Sequence, residues 1–578
     1  MTNATDTGDA GGVALLVEET EQATRHLCAG AHLDEDFARK VIEEFEDEPH
    51  RAYAPAYGVN IELVKQHARG ALTRLTERDQ RLTACLMVSL VLQPAVTLVM
   101  WVALAFLAGA PTLDPRPNRI KDEATGRTST SRTKVVVGAV ARLIASVVVL
   151  IMVALFTQPL PRPWVWFPDL APALILGIPL LVLLPWTIVW NERTIAWHTV
   201  SRELTGKGFA ARPAKGRPEA PATDGNITVY SGYSPFIGSG VELDSWSTTT
   251  RLTPTRNLVG EIPAQATPWT VPTAAELVDG LLTQLTALRA ETAGSLDGIE
   301  ELTVSEKLFV DGTVLRQPEV ERTGLTRAVL PEEQGRPSHA IDPELVRRYR
   351  GHHRGPIRHC LRSQVAAWGT DLVLSVYLQV TVSAGTLYLE STTLLLPPVK
   401  DAFRVADTVV EQPAPESSYL PAGQVGGDDS VLGAQAVAAA FQALLGAPFR
   451  VYRALRAPSR RVRRHEQLRS AIKSDLGFDY GARMSLRDLA SGPNYRNYFQ
   501  RVDVARISRQ IHLRTLDFLA TTLAERGVDV SDLLERRTAV YNSGILMTGG
   551  AMTGTIVAGE GNTVVKQAGA KPERSKKK

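Results

Sequence analysis

Residues 83–113 read TACLMVSLVLQPAVTLVMWVALAFLAGAPTL, without one charged side chain. Two further apolar stretches follow. Residues 135–156 hold a single charge, Arg142, and residues 170–190 hold none. A bilayer core of about 30 Å takes roughly 20 apolar helical residues, so 135–156 and 170–190 each fit one crossing. At about 1.5 Å per residue, 83–113 is too long for one untilted span. It reads either as a single span or as a hairpin bent at Pro94.

The connections carry a charge pattern. Residues 65–81, 114–134 and 191–217 are rich in Lys and Arg, whereas 157–169 hold only Arg162 and Asp169 beside Trp164, Trp166 and Phe167. The positive-inside rule puts the three basic connections in the cytoplasm and the aromatic loop outside. Arg142 reads as a side chain snorkelling to the interface. The expectation is a membrane protein with three transmembrane helices, or four if the first stretch is a hairpin. Its N-terminus and large C-terminal region are expected in the cytoplasm, and its localisation is expected to be the cell membrane, multi-pass.

The rest of the chain divides by composition. Residues 1–82 read as an N-terminal helical segment without a secretory signal, with Asp34 placed to cap a helix bearing Phe37, Val41, Ile42 and Phe45 on one face. After the 83–190 block, 191–225 is a linker rich in Gly, Pro and Lys. Residues 226–410 read as an α+β cytoplasmic domain. Here Leu372–Val382, Ala384-Gly385 and Thr386–Glu390 spell a β-hairpin, and Thr273–Thr292 spells a helix with a leucine face. A linker at 411–430 precedes 431–473, an Ala-rich apolar run followed by a basic helix. Residues 474–540 are a helical region, and 541–578 a Gly-rich tail with a basic end.

The chain has 578 residues, a net charge of +3 and three cysteines far apart in sequence. That balance speaks against a nucleic-acid binder and against a disulfide framework. Gly238 and Gly240 read as a tight turn rather than a phosphate loop, because the remaining P-loop residues are missing. His352, His353, His359 and Cys360 sit among six arginines that would oppose a cation, so they read as part of a basic surface helix and not as a metal site. No catalytic residue, cofactor or metal is expected. Arg453, Arg456, Arg460, Arg461, Arg463 and Arg464, with Arg142, are candidates for contact with an anionic inner leaflet. Asn542, Gly544, Gly549 and Gly550 are candidates for binding a protein partner or a second copy of the chain.

Several segments together resemble a set of actinobacterial integral-membrane proteins of unknown function. They are Pro235–Gly240 with Ser245–Ser247, Phe478–Gly481 with Ser485–Ser491 and Tyr495–Phe499, and the tail from Asn542 to Gly550. The resemblance implies no activity and no site residues. The functional expectation is a membrane-anchored scaffold or docking protein that recruits a protein partner to the inner face of the membrane. The alternatives are a channel or transporter subunit, and an enzyme with a site inside 226–410.

Overall fold

The computed structural model describes residues 22–92, 183–205, 224–254, 270–292, 301–332, 334–352, 355–408 and 429–542, with a few single positions besides. Its centre is a six-stranded mixed sheet: β1 (Ile227–Tyr230), β2 (Val241–Arg251), β3 (Leu302–Asp311), β4 (Ile357–Ala367), β5 (Leu372–Ser383) and β6 (Thr386–Leu396). The spatial order is β1-β3-β4-β5-β6-β2. Only β1 and β3 run parallel; β3–β4–β5–β6 form an antiparallel meander that β2 closes on the far side. Ala384 and Gly385 make the β5–β6 turn with φ of 49° and 71°, the left-handed pair that a two-residue hairpin needs.

Period-2 alternation gives the sheet two covered faces. On one, Leu361, Val365, Leu374, Val376, Leu378 and Val380 pack against helices α4 (Ala274–Thr292) and α6 (Tyr498–Glu525). Leu277, Leu281, Leu285 and Leu288 are the face α4 buries. The opposite face carries a buried polar network. Lys307 Nζ donates to Asp224 at 3.0 Å, Arg362 donates to the same carboxylate at 2.5 Å, and Arg362 also donates to the Tyr57 hydroxyl at 3.3 Å.

Residues 22–33, α1 (Glu35–Phe45) and the start of α2 (Ile61–Leu92) pack as a helical unit with Phe403, Leu486 and Ala490. Asp34 caps α1 by accepting from the Asp36 and Phe37 amides, both at 3.0 Å. The end of α2 meets α3 (Leu184–Glu203) and α5 (Asp429–Ser474) through Leu82, Val189 and Leu444. Asp79, 5% exposed, ties α2 to α5 by accepting from Arg450 Nε at 2.5 Å.

Two expectations are corrected here. Most of 83–113, 135–156 and 170–190, Arg142 included, lies outside the described residues. The ends that are described belong to α2 and α3, and among the described residues no helix is long and apolar enough to cross a membrane. The physical reason is that each helix is apolar over only part of its length. α2 buries Lys65, Arg78 and Asp79, and α3 carries Glu192, Arg193, Arg202 and Glu203. The membrane-protein fold class and the multi-pass cell-membrane localisation therefore give way to an α+β fold on a mixed sheet. The second correction concerns the segment around His359: it is strand β4, not a surface helix. Its charges are drawn inward, since Arg350 and His359 both donate to Glu306, at 2.6–2.7 Å and 2.9 Å.

Candidate functional site

One cavity collects side chains from every layer of the fold. Its volume is about 460 Å³, and its wall includes His26, the Trp368–Asp371 turn, Arg404, Arg487, Arg496, Asn497 and Gln500. Helix 22–33 brings His26. The four-residue turn from β4 to β5 brings Trp368 and Asp371, the single turn at Asp401–Arg404 brings Arg404, and the short helix Leu486–Ala490 brings Arg487. The start of α6 brings Asn497 and Gln500.

The β4–β5 turn is strained. Trp368, Gly369 and Thr370 all have positive φ, at 58°, 65° and 58°. For the two residues with a Cβ this conformation costs about 1–2 kcal/mol each. The turn places the Asp371 carboxylate in the wall at 9% exposure. One oxygen of Asp371 accepts from Arg404. The other accepts from Arg496 at 3.2 Å and from Gln500 Nε2 at 3.4 Å. At the helix start, Asn497 accepts the Gln500 amide at 3.0 Å, while Gln500 Oε1 accepts the Arg496 amide at 2.8 Å. This near-capping-box exchange fixes the helix end against the cavity. The positive end of the helix dipole thus borders the same space as the arginines.

Arg487 is the exceptional member. It is 1% exposed. One terminal nitrogen donates to the Asp371 carbonyl at 3.0 Å, yet Nε and the other terminal nitrogen are buried with no hydrogen-bond partner. An orphaned buried donor costs about 1–3 kcal/mol, and more when charged. Burial accordingly pulls the Arg487 guanidinium down to about 10, against the pull of Asp371 the other way, and at neutral pH it stays charged. Next to it, His26 Nε2 lies 2.9 Å from both oxygens of Asp407. Burial lowers its pKa despite Asp407, so the imidazole adds no charge near pH 7. The wall therefore holds three guanidiniums around Asp371, one of which also meets Asp407, with two nitrogens of the Arg487 guanidinium unspent.

Asp488 faces the other way from Arg487. It is held by the Gly238 amide, which donates at 2.8 Å, and burial pushes its carboxyl up to about 6. Gly238 and Gly240, with φ of 90° and 87°, make the tight turn expected of them. Phe236 from that turn stacks on Tyr377 at 4.9 Å. The Phe478–Gly481 segment is a clamp on β1: Ala482 N donates to the Val229 carbonyl at 3.0 Å and Ser231 N to the Ala482 carbonyl at 2.9 Å. Sequence reading singled out Ser485–Ser491 and Tyr495–Phe499 as distinctive but assigned them no role. They supply Arg487, Arg496 and Asn497 to this wall. Trp368, Asp371 and Arg404 were not singled out at all.

The expected site residues lie elsewhere. Arg453, Arg456, Arg460, Arg461, Arg463 and Arg464 are on α5. Two of them turn to the N-terminal helical unit, Arg461 to Asp47 at 2.9 Å and Arg464 to Glu48, and Arg456 lies 4.4 Å over the Tyr452 ring. Asn542 ends α7 (Ser531–Asn542), while Gly544, Gly549 and Gly550 lie outside the described residues. His359 and Cys360 are neighbours on a strand and so point to opposite faces. Among the described residues no group of His, Cys, Asp and Glu could hold a metal ion.

No curated protein and no solved structure matches the chain. Residues 245–555 match a family described as the AbeC-like domain. That span contains Trp368, Asp371, Arg404, Arg487, Arg496 and Gln500, and excludes His26. Because the match covers more than half of the 578 residues, the chain belongs to the AbeC-like domain family.

Proposed function

We propose that this chain is a binding protein for a small anionic ligand, which it holds against Arg487 in the cavity between the N-terminal helices, the sheet and α6. The observation that carries this reading is the Arg487 guanidinium, buried with two of its three nitrogens unpartnered. Buried charges are ordinarily paired, and an anion with two or more acceptor oxygens satisfies a guanidinium bidentately. Arg404, Arg496 and the first turn of α6 add attraction of the same sign. A ligand touching all three layers suits a docking protein whose readiness for a partner depends on occupancy. Within the family we place the chain among the actinobacterial proteins that its Phe478–Gly481 and Tyr495–Phe499 segments resemble.

The test is calorimetric titration of the whole chain with phosphate, pyrophosphate and citrate at low and high salt. We expect binding of at least one of them, weakened by salt and at least tenfold weaker in Arg487→Met. If none binds, or if Arg487→Met binds as well as the parent, the proposal fails.

A further inference from the structure

We infer that the ligand of the Arg487 cavity is a nucleoside phosphate, its phosphate on Arg404, Arg487 and Arg496 and its base stacked on Trp368. This rests on the anion-binding reading and adds the chemical class. Charge sets the first constraint. Arg404, Arg487 and Arg496 stand around Asp371, while Asp407, beside His26, also meets Arg404 and Arg25; with His26 neutral these groups keep a net positive charge, the sign that a phosphate complements.

Trp368 sets the second constraint. Its indole lies at the cavity, 44% exposed. It is nevertheless held in place, since Nε1 donates to Asp503 Oδ2 at 3.0 Å. The turn does not require an aromatic residue, because the adjacent β5–β6 hairpin reverses on Ala384-Gly385 alone. A bulky residue with its β-carbon at φ 58° is an outlier, and this one also stands half-exposed at the cavity. Both features fall on one tryptophan beside three arginines. Strain concentrated in this way marks a group held in position for a ligand. A fixed, half-exposed indole offers a flat surface on which any nucleobase stacks.

Size and polarity set the third. A volume of about 460 Å³ lies within the roughly 300–1,000 Å³ range of small-molecule sites. The amides of Gln22 and Asn497 in the wall can hydrogen-bond ribose hydroxyls or a base edge. An acyl chain would find few apolar partners here, and inorganic phosphate alone would leave Trp368 unused.

The experiment is calorimetry on the whole chain with the four nucleoside 5′-monophosphates, ribose 5-phosphate and inorganic phosphate, repeated with Trp368→Ala and Trp368→Phe. We expect at least one nucleotide to bind tenfold or more tightly than ribose 5-phosphate. That preference should fall to about twofold or less in Trp368→Ala and largely persist in Trp368→Phe. If ribose 5-phosphate binds as tightly as every nucleotide, or if the preference survives Trp368→Ala, the nucleotide assignment is overturned while the anion site stands. If no phosphate compound binds, the nucleotide assignment is overturned, and the anion site falls with it when citrate also fails to bind. Should Trp368→Ala not fold, the parent's nucleotide-to-ribose-phosphate ratio and the Trp368→Phe variant still decide the matter.

Discussion

Replacing Arg487 with methionine should leave the ligand-free protein as stable as the parent or more so. Methionine fills much of the same space with a flexible apolar chain. The substitution removes two buried, unpartnered nitrogens at about 1–3 kcal/mol each. It gives up a charged hydrogen bond at 3.0 Å to the Asp371 carbonyl, worth about 1.5–3 kcal/mol, and a long one at 3.5 Å to the Thr370 carbonyl. The Asp371 carboxylate keeps Arg404, Arg496 and Gln500. The balance favours the variant by about 1 kcal/mol. The pKa argues the same way: holding the guanidinium charged when burial has pulled it from 12.5 to about 10 costs about 3 kcal/mol at about 1.4 kcal/mol per pH unit. The assay is urea unfolding of both proteins with and without a saturating anion. The parent should gain about 2.7 kcal/mol at a ligand concentration a hundred times its Kd, and the variant, binding at least tenfold more weakly, about 1.4 kcal/mol or less. A ligand-free variant destabilised by more than 2 kcal/mol would refute the reasoning, because Arg487 would then be a structural residue whose apparent orphan donors are satisfied within the fold.

Three other outcomes follow from the geometry. His512 is 6% exposed near Ser391 and Thr393, and burial lowers its pKa from 6.5 to about 4. The unfolded chain therefore takes up a proton below about pH 6.5 that the folded chain refuses until about pH 4. Stability should fall with pH across that window by about 3 kcal/mol in total, and His512→Gln should remove this component when parent and variant are compared by urea unfolding at pH 7.5, 5.5 and 4.5. Gly240→Ala would place a Cβ 2.0 Å from the Leu395 carbonyl oxygen at φ +87°, whereas Gly232→Ala, at φ +86°, meets nothing within 4 Å. The first should cost about 3 kcal/mol or more in chemical denaturation and the second about 1; equal losses would mean that backbone conformation alone, not the close approach to β6, demands the glycine. Asp79→Ala strips the buried partner from Arg450 and Arg78 and should cost about 3–5 kcal/mol. Amide exchange should then rise along the facing parts of α2 and α5, and unchanged exchange there would show that apolar contacts through Leu82 and Leu444 hold the two helices together.

The parts of this fold that were legible in the sequence are those fixed by neighbours in the chain. The Asp34 cap acts over three residues, the α4 leucines repeat every three or four, and Ala384-Gly385 stands between two alternating runs. The membrane reading failed for a related reason. Apolar residues such as Leu86 and Val189 look the same in sequence whether lipid or another helix covers them, and here they pack with Leu444 of a third helix.

Arg487 and Asp488 show why the site itself was hidden. In Ser485-Leu-Arg-Asp-Leu-Ala-Ser491, the apolar positions Leu486 and Ala490 mark one face, and periodicity assigns the two charges between them to solvent. That rule assumes a helix with one side in water. In this five-residue helix Leu486, Arg487 and Ala490 are buried and Asp488 and Leu489 partly so. Leu486 and Ala490 are taken up by the N-terminal helices, Asp488 by the Gly238 amide, and Arg487 by the backbone of a turn 116 residues earlier in the chain. Burial works against charge on both residues, raising the acid to about 6 and lowering the base to about 10. Asp488 escapes by taking a proton as the pH falls towards 6. Arg487 has no such exit near neutrality, and an anion is what would relieve it.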